Sequence, residues 1–196
     1  MDKIRDIKYK LLKELKWDHI KETGYDCNSG TKYVEVKNAL FEVDKDRIFN
    51  TIPQLSYMSP QWYIDNYDPI LNKNDQLNKC ISKLVENTNS RQAVIIMGDT
   101  NEFDNIDNTF ICTMYMHIFL NKIKYDVYEL EYIVHMRSND CIEFITDLQW
   151  HKKLYNDILN QLREKTKLMI MPKNIIWNAD TIHLYEQFFE QALKES

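Results

Sequence analysis

The chain has 196 residues, with 44% hydrophobic and 28% charged side chains, the balance of a single globular domain with a substantial core. A net charge of −5 without a basic run argues against nucleic acid as a partner, and only 3 Gly exclude flexible linkers and a glycine-rich phosphate loop. The four cysteines (Cys27, Cys80, Cys112, Cys141) form no CxxC pair, and there is no leader or long apolar run, which predicts reduced thiols, no metal centre, no membrane and a cytoplasmic location.

In chain order, Ile4, Ile7, Leu11, Leu12 and Leu15 recur at helical spacing and predict a helix over 4–15. Residues 22–30 (ETGYDCNSG) read as a loop, and 33–43 (YVEVKNALFEV) as a strand. Pro53, Pro60 and Pro69 predict broken structure over 48–71. Leu77, Ile81, Leu84 and Val85 predict a helix over 74–86, with Asp75 near its start. The apolar run 92–97 (QAVIIM) predicts a buried strand, and 98–108 an acidic loop. Residues 110–120 and 124–136 read as an antiparallel pair, and 147–162 as an amphipathic helix. Residues 167–177 are β-like but interrupted by Pro172, and 182–193 read as a closing helix. With no repeat and no second domain, the sum is one α+β domain over 1–196, with a mostly antiparallel sheet.

Only five of the 25 basic residues are Arg, and two of them fall in distinctive segments: SRQAVI (90–95) and MRSND (136–140). ICT (111–113) opens the predicted strand pair, and DTIHLYEQ (180–187) lies near the C-terminus. These segments, in this order, resemble the thymidylate synthase and pyrimidine-nucleotide hydroxymethylase superfamily. SRQAVI is similar to its phosphate-binding Ser-Arg-Arg segment, ICT to its nucleophile segment, MRSND to its Arg-Ser-x-Asp motif in the phage-type form, and HLY to its His-x-Tyr sugar grip. A weaker counterpart is QWYI (61–64).

The resemblance implies a thymidylate synthase-like fold, a twisted sheet flanked by helices, with one sheet face at a homodimer interface. It implies one-carbon transfer from 5,10-methylenetetrahydrofolate to C5 of dUMP or dCMP. C5 of a pyrimidine is feebly nucleophilic, and a thiolate adding at C6 makes it enolate-like, which is covalent catalysis by an activated nucleophile. Cys112 is then the nucleophile, with Asp140 orienting the folate ring or the active-site network. Arg91 (reaching a partner subunit's site), Arg137 and Ser138 hold the phosphate, where the fixed fork of a guanidinium suits a phosphate. His183 and Tyr185, two residues apart and on one side if extended, grip the sugar, and Trp62 lies on the folate side. Asp147 stands, after one deletion, where Asn reads uracil and Asp reads cytosine. Its residue type fits an N-cap of the following helix equally well. Gln92 replaces a second arginine, His117 a glutamine, and Ser59 falls where a folate-side glutamate is expected. A binding protein that keeps the nucleotide pocket and serves as nucleotide sink, regulator or scaffold is the alternative.

Overall fold

The computed structural model describes residues 24–25, 32–44, 59–98 and 111–190. The helix expected over 4–15, Cys27, the acidic loop beyond Gly98 and the end of the closing helix lie outside them. The described elements are β1 (Gly24–Tyr25), β2 (Lys32–Val43), α1 (Pro60–Asn72), α2 (Gln76–Glu86), β3 (Val94–Ile96), β4 (Thr113–Lys124), β5 (Val127–Met136), β6 (Asn139–Asp140), α3 (Phe144–Thr166) and β7 (Met169–Tyr185). The sheet runs β1-β2-β7-β5-β4-β3, with β6 also on β7. Neighbours are antiparallel except that β7 runs parallel to both β5 and β6. The α+β arrangement with a mostly antiparallel sheet matches the sequence pattern.

Period-two patterning sets the core. On β5, Tyr128, Leu130, Tyr132, Val134 and Met136 are buried, while Val127, Glu129, Glu131, Ile133 and His135 between them are half-buried. The buried side chains pack with Leu154, Ile158 and Leu162 of α3 and with Ile81 and Leu84 of α2 in one apolar core. Each such side chain taken out of water contributes about 1.5–3 kcal/mol. The opposite sheet face stays more open, with Leu40, Tyr115 and Ile96 exposed. The edge strand β3 is guarded by Gln76, whose amide accepts from Ile96 N (2.9 Å) and donates to Ile96 O (2.9 Å). That pairing occupies backbone groups which would otherwise template another strand.

Three expectations are corrected. Residues 22–30 are not all loop, since Gly24–Tyr25 pairs with β2. The proline-rich stretch is not irregular throughout, because Pro60 initiates α1. Proline at the first helical turn has the required φ and gives up an N–H with no partner there anyway. Ser59 caps that helix, its Oγ accepting from Trp62 N at 3.1 Å, and Pro69 falls in the last turn. Finally, β7 is one strand through both Pro172 and the start of the expected closing helix. Pro172 is tolerated in this central strand because the β5–β7 register shifts beside it, between Leu130 and Tyr132. Tyr155 of α3 closes the irregularity: its hydroxyl accepts from Lys173 N (2.8 Å) and donates to Lys173 O (3.1 Å).

A second irregularity positions the site. Asn38 of β2 has φ 54, a left-handed conformation that asparagine adopts more readily than most residues. It lies across from Asp180, between the pairs Lys37↔Thr181 and Ala39↔Ala179. Past this point the inward parity of both strands reverses. Ile175, Trp177 and Ala179 are buried, but beyond Asp180 the buried residues are Ile182 and Leu184. His183 and Tyr185 therefore leave the core face that an uninterrupted strand would have given them.

Candidate active site

The β4–β5 hairpin brings Cys112, just before β4, against Arg137, just after β5. Arg137 N donates to Cys112 O (2.9 Å) and Arg137 Nε to Ile111 O (3.2 Å). Beyond Arg137 the chain resumes pairing with β7 as β6, aligning Asn139 with Ile182 and Asp140 with His183. Thr181 Oγ1 donates to Ser138 Oγ (3.3 Å), and the Ser138 hydroxyl is hydrogen-bonded to His183 Nδ1 at 3.1 Å. Tyr185 and Tyr33 pack edge-on against the His183 ring, with centroids at 4.8 and 5.8 Å. Asp140 is buried, and its Oδ1 accepts from Ile142 N (2.8 Å), tying the turn into α3.

Asp147 is not the N-cap of α3. Glu143 holds that position without a side-chain cap bond, and Asp147 sits in the first turn, 4% exposed. Its two oxygens are engaged from different directions: Tyr63 of α1 donates its hydroxyl to Oδ1 (2.8 Å) and Asn139 donates Nδ2 to Oδ2 (2.6 Å). Asn139 is itself held by Trp177, whose Nε1 donates to its Oδ1 (3.1 Å). Thr146 beside it is also buried, its hydroxyl without a partner among the described residues.

Charge couples these groups. Burial pushes the Cys112 thiol up to about 11; Asp147 and Asp140 push it the same way and Arg137 opposes them. Burial also raises the Asp147 carboxyl to about 7, against the hydrogen bonds from Tyr63 and Asn139 that favour its anion. Cys112, Arg137, Asp140 and Asp147 thus form one electrostatic cluster, and Ser138 and His183 are joined beside it. Arg91 differs. It is exposed just before β3, and its side chain makes no hydrogen bond or ion pair among the described residues; its carbonyl is within 3.0 Å of His117 Nε2. Trp62 is half-buried on α1, its ring 5.2 Å from Tyr63 and 6.0 Å from Tyr67.

Sequence reading missed the polar layer behind Cys112. Thr113 directs its hydroxyl to Met136 Sδ (3.2 Å), so His151 Nε2 donates to Thr113 Oγ1 (3.3 Å) and His151 Nδ1 accepts from the Tyr132 hydroxyl (3.0 Å). The Tyr67 hydroxyl lies beside Thr113. Burial holds the His151 imidazole down to about 3, so it is neutral at pH 7. The one available signal was the i, i+4 pair Tyr63 and Tyr67 on a short helix beside Trp62.

His151 and Asp147 make opposite contributions to stability. The folded Asp147 carboxyl lies above its ordinary 3.8, so its contribution is complete below that value and is lost as pH rises through about 7. Folded His151 lies below its ordinary 6.5, so its contribution is complete above that value and is lost as pH falls towards about 3. Between about pH 4 and 6.5 the two nearly cancel in the native chain. His151→Gln is expected to unmask a stability that falls with rising pH, by up to about 1.4 kcal/mol per pH unit, and Asp147→Asn the reverse. Urea unfolding at pH 5 and 6 measures both slopes; equal slopes in the two variants would disprove the assignment.

The thymidylate synthase family profile matches residues 54–196. The chain is also similar to the deoxycytidylate 5-hydroxymethyltransferase of Enterobacteria phage T4, with 28% identity over 137 residues, covering 65% of this chain and 50% of that protein. It therefore spans about half the length of the curated relative it matches.

Proposed function

Because the chain belongs to the thymidylate synthase family, we propose that it transfers a one-carbon unit to C5 of a pyrimidine deoxynucleoside monophosphate, with dCMP the favoured substrate. The observation that supports this reading is the convergence of Cys112, Arg137, Asp140 and Asp147 on one electrostatic cluster, beside the Ser138–His183 hydrogen bond. A nucleophile, a guanidinium, a sugar-binding pair and a buried carboxyl are what a nucleotide needs at its C6, phosphate, ribose and base edge.

In this reading Arg137 and Ser138 hold the phosphate, and His183 and Tyr185 the ribose hydroxyl. The Cys112 thiolate adds to C6, moving electron density onto C5, with Arg137 the nearby cation that favours the thiolate. Asp147 faces the base edge and Asp140 keeps the turn into α3 in register. The co-substrate is 5,10-methylenetetrahydrofolate, which supplies carbon at the formaldehyde oxidation level. Its flat ring suits the half-buried Trp62, which stands beside Tyr63 and Tyr67. The protein acts as a homodimer through its open sheet face, with exposed Arg91 reaching the partner's phosphate site. The similarity to a deoxycytidylate hydroxymethyltransferase and the carboxyl at position 147 favour cytosine.

Nucleotide tritiated at C5 tests the reaction. Folate-dependent tritium release is expected from dCMP, at least about tenfold faster than from dUMP, the discrimination a base-edge hydrogen bond supplies. Binding of both nucleotides without tritium release would instead describe a nucleotide-binding protein without turnover.

A further inference from the structure

Asp147 can complement a cytosine only in one form. The cytosine edge offers an acceptor at N3 and a donor at N4, so it needs one O–H and one free oxygen side by side. The uracil edge reverses both, so the same acid fits uracil only with its proton on the other oxygen, and the preference turns on which oxygen the surrounding donors leave to carry the proton. A carboxyl group has about four lone-pair positions, two on each oxygen. Here one position on each is already taken by a protein donor, Tyr63 on Oδ1 at 2.8 Å and Asn139 on Oδ2 at 2.6 Å. Both donors are anchored. Tyr63 is buried on α1, which docks on α3 through Trp150 Nε1 donating to Asp68 Oδ1 (3.0 Å) and through Tyr67 packing on Trp150 (4.9 Å). Asn139 is fixed by Trp177 Nε1.

We propose that Tyr63 and Asn139 are positioning residues that brace Asp147 and so determine the preference for cytosine over uracil. The inference rests on the nucleotide-site reading above and adds the two residues that make the carboxyl selective. With its plane fixed by two donors arriving from α1 and β6, the carboxyl can turn only its remaining lone-pair positions and its own proton towards a base. Neither donor carries charge, so the brace orients the group without neutralising it. The groups that face Asp147 are the Tyr63 and Tyr67 hydroxyls from α1, Cys112 before β4, Asp140 of β6 and Glu143 at the head of α3. The carboxyl neighbours Glu143 and Asp140 oppose its ionisation, so Tyr63 and Asn139 are the groups that draw it towards the anion.

The test is equilibrium binding of dCMP and dUMP between pH 6 and 8.5, for the native protein and for Tyr63→Phe. The native protein should bind dCMP with an affinity that falls above about pH 7, as the cytosine-matching proton leaves. In Tyr63→Phe, one donor favouring the anion is gone, so the pH midpoint should move up. Loss of orientation should narrow the dCMP-to-dUMP affinity ratio by about tenfold, the scale of one hydrogen bond to a charged group. Asn139→Ser should move both readouts in the same directions, and near-ultraviolet dichroism checks that each variant folds. An unmoved midpoint in the variants, a ratio within twofold of the native value, or native dCMP affinity that is flat across the range overturns the brace. Failure of the native protein to bind either nucleotide is a different result, and it overturns the nucleotide site itself.

Discussion

Replacement Cys112→Ser is expected to reduce tritium release from C5 by about 10³-fold or more, the scale on which removing a covalent nucleophile acts. Serine keeps the size and the hydrogen bonding, but an alcohol is far less acidic and far less nucleophilic than a thiol. Because the Cys112 backbone is held at the β4–β5 hairpin by Arg137 N donating to Cys112 O, the substitution should leave the fold intact. Mass spectrometry after incubation with 5-fluoro-dCMP and methylenetetrahydrofolate should show an adduct on the native chain and none on the variant. With the thiol pushed up to about 11 by burial, alkylation of Cys112 in the free protein should accelerate from pH 7 to 10, since the anion is the reactive form. An adduct that persists in Cys112→Ser would remove this residue from the chemistry.

The largest loss of stability is expected at Trp177. It is fully buried, with Phe144 and His151 edge-on to its ring at 5.1 Å each, and its Nε1 satisfies Asn139. Trp177→Ala should cost about 4 kcal/mol, from lost burial and a cavity that neighbouring strands cannot fill. The orphaned Asn139 oxygen adds to this. Against a total of about 5–15 kcal/mol for a domain, that is enough to unfold much of the protein near its physiological temperature. Trp177→Phe keeps one six-membered ring but loses the N–H and the fused five-membered ring, so its cost should be smaller than that of alanine, about 2 kcal/mol. Urea denaturation ranks them, and equal midpoints for the two variants would show that the ring is not a packing centre.

What was legible in the sequence was the part with a local signature. Alternation over β2 and β5, the helical spacing of α2 and α3, and the short apolar run of β3 all depend on neighbours within a few residues. The groups in ICT, MRSND and HLY are far apart in sequence, yet the hairpin and the β6–β7 pairing bring Cys112, Arg137, Ser138 and His183 together. The Tyr63 bond to Asp147 was illegible because it is set by tertiary packing across 84 residues of chain. The N-cap reading of Asp147 failed for the same reason, since its residue type fits a cap but its carboxyl is drawn inward by α1 and β6. The closing helix was misplaced because residues 182–185 carry no strong strand signature of their own and are extended through pairing with β2.

The place of β7 in the sheet has a bearing on how the molecule is made. It is the last of the described strands to be synthesised, yet it lies in the middle, with β2 on one side and β5 on the other. Until the ribosome has released residue 185, both of those strands present bare backbone edges, and Asp140 has no His183 beside it. Between the completion of β5 and that of β7 the nascent chain is two half-sheets in search of a common spine, a topology of long-range pairings that folds slowly and invites chaperone capture.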